Sequence, residues 1–321
     1  TWSQQAKLVA SDGAPNDRFG SGVALSGNTA VVGASLDDVG ALVDQGSAYV
    51  FTRSGSTWTE QAKLVAGDGA AGDLFGAAVS ITGNSALVGS PSDDTGSAAD
   101  RGSTYVFTRS GSAWTQQQKL LATGGGAGDR FGAALSMSTD TAVVGAPNDG
   151  PGSAYVFVWN GAAWAQQQRL APSDGASSDR FGLAVSLSGE VALVGAYLDN
   201  IGTAIDQGSA YVFARSGTTW TQQTKLVASD GASGDAFGIG VGLAGTTAFV
   251  GSRGSEVGSH TNQGAVYAFE LEDRLALGAV CQADVDCASG FCIDGVCCNN
   301  ACGASDPSDC QACSVAAGAT T

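Results

Sequence analysis

Runs of small and β-branched residues alternate along this chain with glycine-rich turns, and the runs come in a fixed order. FGSGVALSG is followed by TAVVGA, then GSAYVFTR, then TWTEQAKL. The first three are apolar on both faces, as in strands covered by neighbouring sheets. The fourth alternates, which predicts Trp58, Ala62 and Leu64 on one face and Thr59, Gln61 and Lys63 on the other. That is the pattern of an exposed edge strand whose lysine discourages further pairing. Turns such as Ser26-Gly27-Asn28 and Arg53-Ser54-Gly55-Ser56 suit hairpins. No stretch carries a 3.6-residue period with helix caps. The order predicts a four-stranded antiparallel unit, with strands A to D.

The unit repeats. Trp stands at 2, 58, 114, 164 and 220, Phe-Gly begins at 19, 75, 131, 181 and 237, and the GSAYVF-like motif begins at 46, 102, 152, 208 and 264. Five four-stranded units of ~40–60 residues predict an all-β, five-bladed β-propeller. The fifth unit lacks its own strand D, because LEDRLALGAV follows GAVYAFE. The opening TWSQQAKL reads as the missing strand. Residues 2 to 8 are therefore expected on the outer edge of the fifth blade, closing the ring within one chain. The rival is that they complete the fifth blade of a neighbouring molecule.

These motifs carry a resemblance. FG…VGA…G-x-AYVF with a W-x-x-Q-x-K-L tail resembles the FG-GAP repeat of integrin α-subunit propellers, most closely the bacterial secreted variety. It spans residues 1 to about 270. It implies a β-propeller on a secreted or surface protein that acts in adhesion or protein interaction. Integrin-type repeats often hold a D-x-D-x-D-G calcium loop between A and B. Here those loops read SGN, TGN, STD, SGE and AGT, so that site does not carry over.

Composition narrows the partners. Gly numbers 48 and Pro only 6; 43% of residues are hydrophobic and 14% charged, which suits a folded, turn-rich chain. A net charge of −16 excludes nucleic acid as a partner, and no apolar run is long enough to span a membrane. Most acids fall in the B–C and D–A loops, which share one face of a propeller. Asp17, Asp73, Asp129, Asp179 and Asp235 each precede a Phe-Gly step. Capping of turn amides explains them better than a ring of cation ligands does. A second series lies in the long B–C loops: Asp37, Asp38 and Asp44; Asp93, Asp94 and Asp100; Asp199 and Asp206. These are the candidate ligands for Ca²⁺, against the alternative of loop capping and a solvated rim.

Nothing in the sequence asks for catalysis or an organic cofactor. The single histidine, His260, sits in a loop with no GxSxG elbow to serve, and the carboxylate pairs recur as repeats. Trp159 and Tyr197 have no counterparts in the other units and are the candidate contact residues. The expected function is a non-enzymatic adhesion or interaction module, with an extracellular assembly as one setting and a protein or glycan as partner. A multivalent carbohydrate-binding propeller is the alternative, and a hydrolase or lyase domain a third. All eight cysteines, Cys281, Cys287, Cys292, Cys297, Cys298, Cys302, Cys310 and Cys313, fall in a segment taken as residues 271–321, apart from the propeller at 1–270. They predict a disulfide-knit tail in an oxidising extracellular setting; zinc at Cys310 and Cys313 is the competitor.

Overall fold

A computed structural model describes residues 3–271, 291–293 and 296–298. Blade 1 is formed by β1 (Phe19–Ser26), β2 (Thr29–Ala34), β3 (Ser47–Ser54) and β4 (Thr57–Leu64). Blade 2 is β5 (Ala78–Thr82), β6 (Ser85–Ser90), β7 (Ser103–Ser110) and β8 (Ala113–Leu120). Blade 3 is β9 (Ala134–Met137), β10 (Thr141–Ala146), β11 (Ser153–Trp159) and β12 (Trp164–Leu170). Blade 4 is β13 (Ala184–Ser188), β14 (Val191–Ala196), β15 (Ser209–Ser216) and β16 (Thr219–Leu226). Blade 5 is β17 (Phe237–Ala244), β18 (Thr247–Ser252) and β19 (Ala265–Glu270). Strands follow one another in each sheet, so the protein is all-β, with five blades in a propeller arrangement. Among the described residues no helix is long and apolar enough to cross a membrane.

Residues up to 245 and 249–268 form one compact unit; 246–248 and 269 onward form a second. In the second unit β20 (Phe291–Ile293) pairs antiparallel with β21 (Val296–Cys298). The disulfides and zinc expected of the eight cysteines fall on side chains outside the described residues.

The first unit has no single central core. Apolar clusters lie between successive blades, where one sheet's face meets the next. Val31, Ala48, Val50 and Leu64 of blade 1 pack on Phe75, Val79, Ile81, Val88, Tyr105 and Phe107 in blade 2. The same layer recurs between blades 2 and 3 and between blades 3 and 4. This is why strands B and C are apolar on both faces. The Phe of each Phe-Gly step meets the Tyr of strand C within its own blade, with ring centroids 5.4 to 5.6 Å apart. Removing these two rings from water is worth about 1.5–3 kcal/mol each. Successive blades also touch through backbone. A Cβ on Gly33, Gly89, Gly145 or Gly195 would overlap the carbonyl oxygen of Gly76, Gly132, Gly182 or Gly238 in the next blade. The single glycine in the second strand of each of these blades is thus set by that close approach.

Two expectations need correction. The faces of strand D are not a simple alternation. Phe51 faces Glu60 while Val50 faces Ala62, so Gln61 is an extra residue, a β-bulge repeated in blades 1 to 4. The bulge flips the parity. Ala62 and Leu64 face the following blade, whereas Trp58 joins Phe19, Tyr49 and Phe51 on the other side. Nor does the opening stretch close blade 5. Residues 3–10 form no strand, and the β17-β18-β19 sheet has three strands. Those residues instead lie on blade 1: Leu8 and Ala10 pack against Tyr49 and Phe51, and Gln5 Oε1 accepts from the Trp58 indole at 3.1 Å. Apolar packing on blade 1 holds them there without a partner strand.

Candidate functional site

The loop carboxylates are spent inside the repeat. Each Phe-Gly aspartate caps a turn: Asp17, Asp73, Asp129, Asp179 and Asp235 accept from the backbone N–H three residues earlier. All but Asp129 are buried, where a carboxylate without partners would be costly. Desolvation pushes Asp73, Asp129 and Asp179 above the usual carboxylate range, against the bonds that favour the charged form.

The candidate calcium ligands do not converge. Among the described residues no three His, Cys, Asp or Glu side chains are arranged to hold an ion. Asp37 is buried and bound by Lys63 at 2.7 Å, and Tyr49 donates to it at 3.2 Å. Asp12 completes the group, accepting from Lys63 and Tyr49 at 2.7 Å each. The same four-membered cluster recurs as Asp68, Asp93, Tyr105 and Lys119. It recurs again as Asp174, Asp199, Tyr211 and Lys225. An ammonium therefore stands between each pair of carboxylates, where a cation was expected. Asp38 and Asp94 instead cap the amides of Asp44 and Asp100, and Asn200 caps that of Asp206. Asp44, Asp100 and Asp206 themselves take left-handed backbone, φ 48° to 54°.

Charge pairing sets which charged forms are favoured. The Lys63 bond holds Asp12 below its ordinary value. For Asp68 and Asp174 burial pushes upward, but the lysine and tyrosine bonds outweigh it. Burial raises Tyr49 to about 12. Burial works against the charge on Lys63, Lys119 and Lys225, yet their two carboxylates and tyrosine carry them well above the ordinary lysine value.

Blade 3 departs from this plan. Gly124 replaces the first aspartate, and Arg169 replaces the lysine, pairing with Asp149 at 3.0 Å. A second departure opens a site. Arg53 and Arg109 cross to Asn28 and Asn84 in the A–B turn and stack over Trp58 and Trp114, 5.5 and 5.4 Å from the ring centroids. In blade 3 that position is Trp159, which is 40% exposed and lies 6.1 Å from Trp164, tilted by 54°. The indoles of Trp114 and Trp220 donate to the bulged Gln61 and Gln167 of the preceding blade. At the junction of blades 2 and 3 the equivalent Gln117 turns back to Thr115 instead. A cleft of about 350 Å³ opens there, lined by Gln117, Gln118, Thr108, Thr139, Trp159 and Trp164. Trp159 was legible as an unmatched aromatic; the bulged glutamines were not, because a bulge leaves no composition signal. Tyr197, the other contact candidate, is half-buried under Arg253 of blade 5, 5.7 Å from its ring centroid.

The family profile described as FG-GAP repeat matches residues 2–51, 58–107, 114–157, 164–213 and 220–269. The chain belongs to the FG-GAP repeat family. A search of curated proteins gives no significant match. The four matches from residue 58 onward each open on the Trp of a strand D, and all five close on the Phe of a strand C, so the sequence repeat is offset by one strand from the blade. FG-GAP propellers are a protein-interaction module type, and this chain is one.

Proposed function

We propose that this FG-GAP propeller is a non-enzymatic interaction module that works outside the cell and holds its partner at the cleft between blades 2 and 3. The observation that carries the reading is Trp159. The repeated lysines, tyrosines and most acids are satisfied within the repeat, while this one aromatic replaces a pairing arginine and faces an open cleft. Exposed tryptophans in partly desolvated pockets are the residues on which interfaces most depend. The eight cysteines of the C-terminal segment favour the extracellular setting.

The test is binding of the labelled full chain to the surface of cells of its source. Trp159→Ala is expected to weaken it about 10-fold or more, with the thermal unfolding midpoint unchanged. Undiminished binding by that variant sinks the reading. A glycan partner is the second reading, favoured by a tryptophan beside the amide of Gln117 and the hydroxyl of Thr139. A glycan array probed with both proteins decides between them: signal lost in the variant means glycan, and no signal across broad classes leaves a protein partner.

A further inference from the structure

We propose that the cleft beside Trp159 seats a guanidinium, which the protein partner presents as an arginine side chain. The proposal rests on the reading of that cleft as the partner's site.

Blades 2 and 4 each send an arginine from strand C across to the blade before. Arg109 Nη1 donates to Thr29 Oγ1 of blade 1 at 3.0 Å, and Arg215 Nη1 donates to Thr141 Oγ1 of blade 3 at 3.2 Å. Both acceptors open the second strand of their blades. Ser85 holds that place in blade 2, and it lines the cleft. Blade 3 sends it no arginine, because Trp159 stands at the strand position of Arg109 and Arg215.

The same arginines take a second acceptor from the A–B turn of their own blade. Arg109 binds Asn84 Oδ1 through Nε and Nη2 at 3.0 and 2.7 Å, and Arg215 pairs with Glu190 at 3.4 Å. Blade 3 keeps an acid at this turn position, Asp140, which is exposed. Among the described residues its carboxylate accepts only from the neighbouring Thr141 hydroxyl, at 3.1 Å. Its backbone carbonyl accepts from the Trp159 N–H at 2.8 Å, which ties it to the edge of the cleft. Blade 3 has therefore lost the cation and kept an acceptor for it on each side of the junction.

The chemistry of the cleft selects a guanidinium. That group carries five N–H donors in a fixed plane and no acceptor. Gln117 spends its Nε2 on Thr115, which leaves its carbonyl oxygen as a further acceptor beside Ser85. Trp159 offers an indole on which a planar cation can stack. The chain already makes this pairing on the same side of blades 1 and 2, where Arg53 and Arg109 lie over tryptophans. Its lysines lie over tyrosines instead. A neutral sugar could meet the hydroxyl and amide groups but would leave Asp140 without a countercharge. The net charge of −16 also favours the approach of a cationic segment.

Titration of the full chain with N-acetyl-arginine methylamide, followed through the indole N–H resonances, tests it. The citrulline analogue, which keeps the shape without the charge, is the control. The arginine probe is expected to shift the Trp159 resonance at roughly millimolar concentration, and the citrulline probe to bind at least ~10-fold more weakly. Ser85→Ala and Asp140→Asn should each weaken the arginine probe about 3-fold or more with an unchanged melting temperature. Trp159→Arg, which supplies the guanidinium from within, should lose the site. Equal binding of the two probes overturns the proposal, as does full affinity in both Ser85→Ala and Asp140→Asn. A glycan-array signal lost in Trp159→Ala, without preference for the arginine probe, gives the cleft to a sugar and also overturns it. The two readings fail separately. Cell binding lost in Trp159→Ala while the probes are not distinguished keeps the cleft and removes the arginine. Cell binding intact in that variant while wild type prefers the arginine probe removes the cleft as the partner's seat and keeps the guanidinium site.

Discussion

Blades 2 and 3 stand side by side, share a packing layer, and differ in three linked places. Blade 2 closes its loop side with Lys119 between two aspartates and its turn side with Arg109 lying over Trp114. Blade 3 has one aspartate and an arginine on the loop side, and Trp159 in place of the turn arginine. Its apolar layer is nonetheless as buried as that of blade 2. The comparison teaches that packing between sheets sets the fold, while the polar clusters at the rims can be relinquished one blade at a time. A blade that gives one up gains a surface available for something else.

The comparison can be broken most forcefully at the lysine. Lys119→Ala leaves buried Asp93 without its cation and should cost about 3 kcal/mol; Arg169→Ala, whose partner Asp149 is better solvated, should cost about 1 kcal/mol or less. Urea unfolding of both variants measures the gap, and equal losses would refute the distinction. Next in size is Gly89→Ala at the junction the two blades share. Overlap with the Gly132 carbonyl is expected to remove about 1–3 kcal/mol in the same assay.

Acid should also separate the blades. Asp12, Asp68 and Asp174 titrate below their ordinary value of 3.8 in the folded protein, so the unfolded chain takes up protons first as pH falls. Their contribution is complete above that value and is lost below it. Asp73, Asp129 and Asp179 have the opposite sign: their raised values favour the folded state at low pH, and that gain fades as pH rises through them. Blade 3 carries only the second kind. Hydrogen exchange taken from pH 5 down to 3 should show protection falling in blades 1, 2 and 4 before blade 3; uniform loss would contradict this. The smallest effect is expected for Trp159→Arg, which restores the residue of blades 1, 2 and 4. Pairing with Asp140 and stacking on Trp164 should add about 0.5 kcal/mol or less, read from the melting temperature, while filling the cleft.

Much of this was legible in the sequence because repetition amplifies weak signals. Five Phe-Gly steps and five GSAYVF-like motifs specify blades that no single copy would. The capping role of Asp17 and its counterparts followed from their place before a turn. Less local features were hidden. One bulged residue reverses the faces of strand D, and parity counting along TWTEQAKL cannot see it. Asp37 and Asp93 looked like ligands because their lysine partners lie on a different strand, brought to them only by the sheet. The cleft depends on Gln117 releasing the next blade's tryptophan, a contact across two repeats.

The one-strand offset between repeat and blade has a further consequence. The second to fifth repeats each lend their first strand to the sheet before them, so the sheets of blades 1 to 4 take their last strand from the repeat that follows. A chain cut at Trp58 or Trp114 would therefore separate a sheet from its edge, and no single repeat can fold as a free-standing piece. Exchange of whole repeats, by contrast, replaces an edge strand together with the packing face it serves, with register intact. Such a chain can gain or lose blades in evolution without first solving the problem of how the new pieces fit.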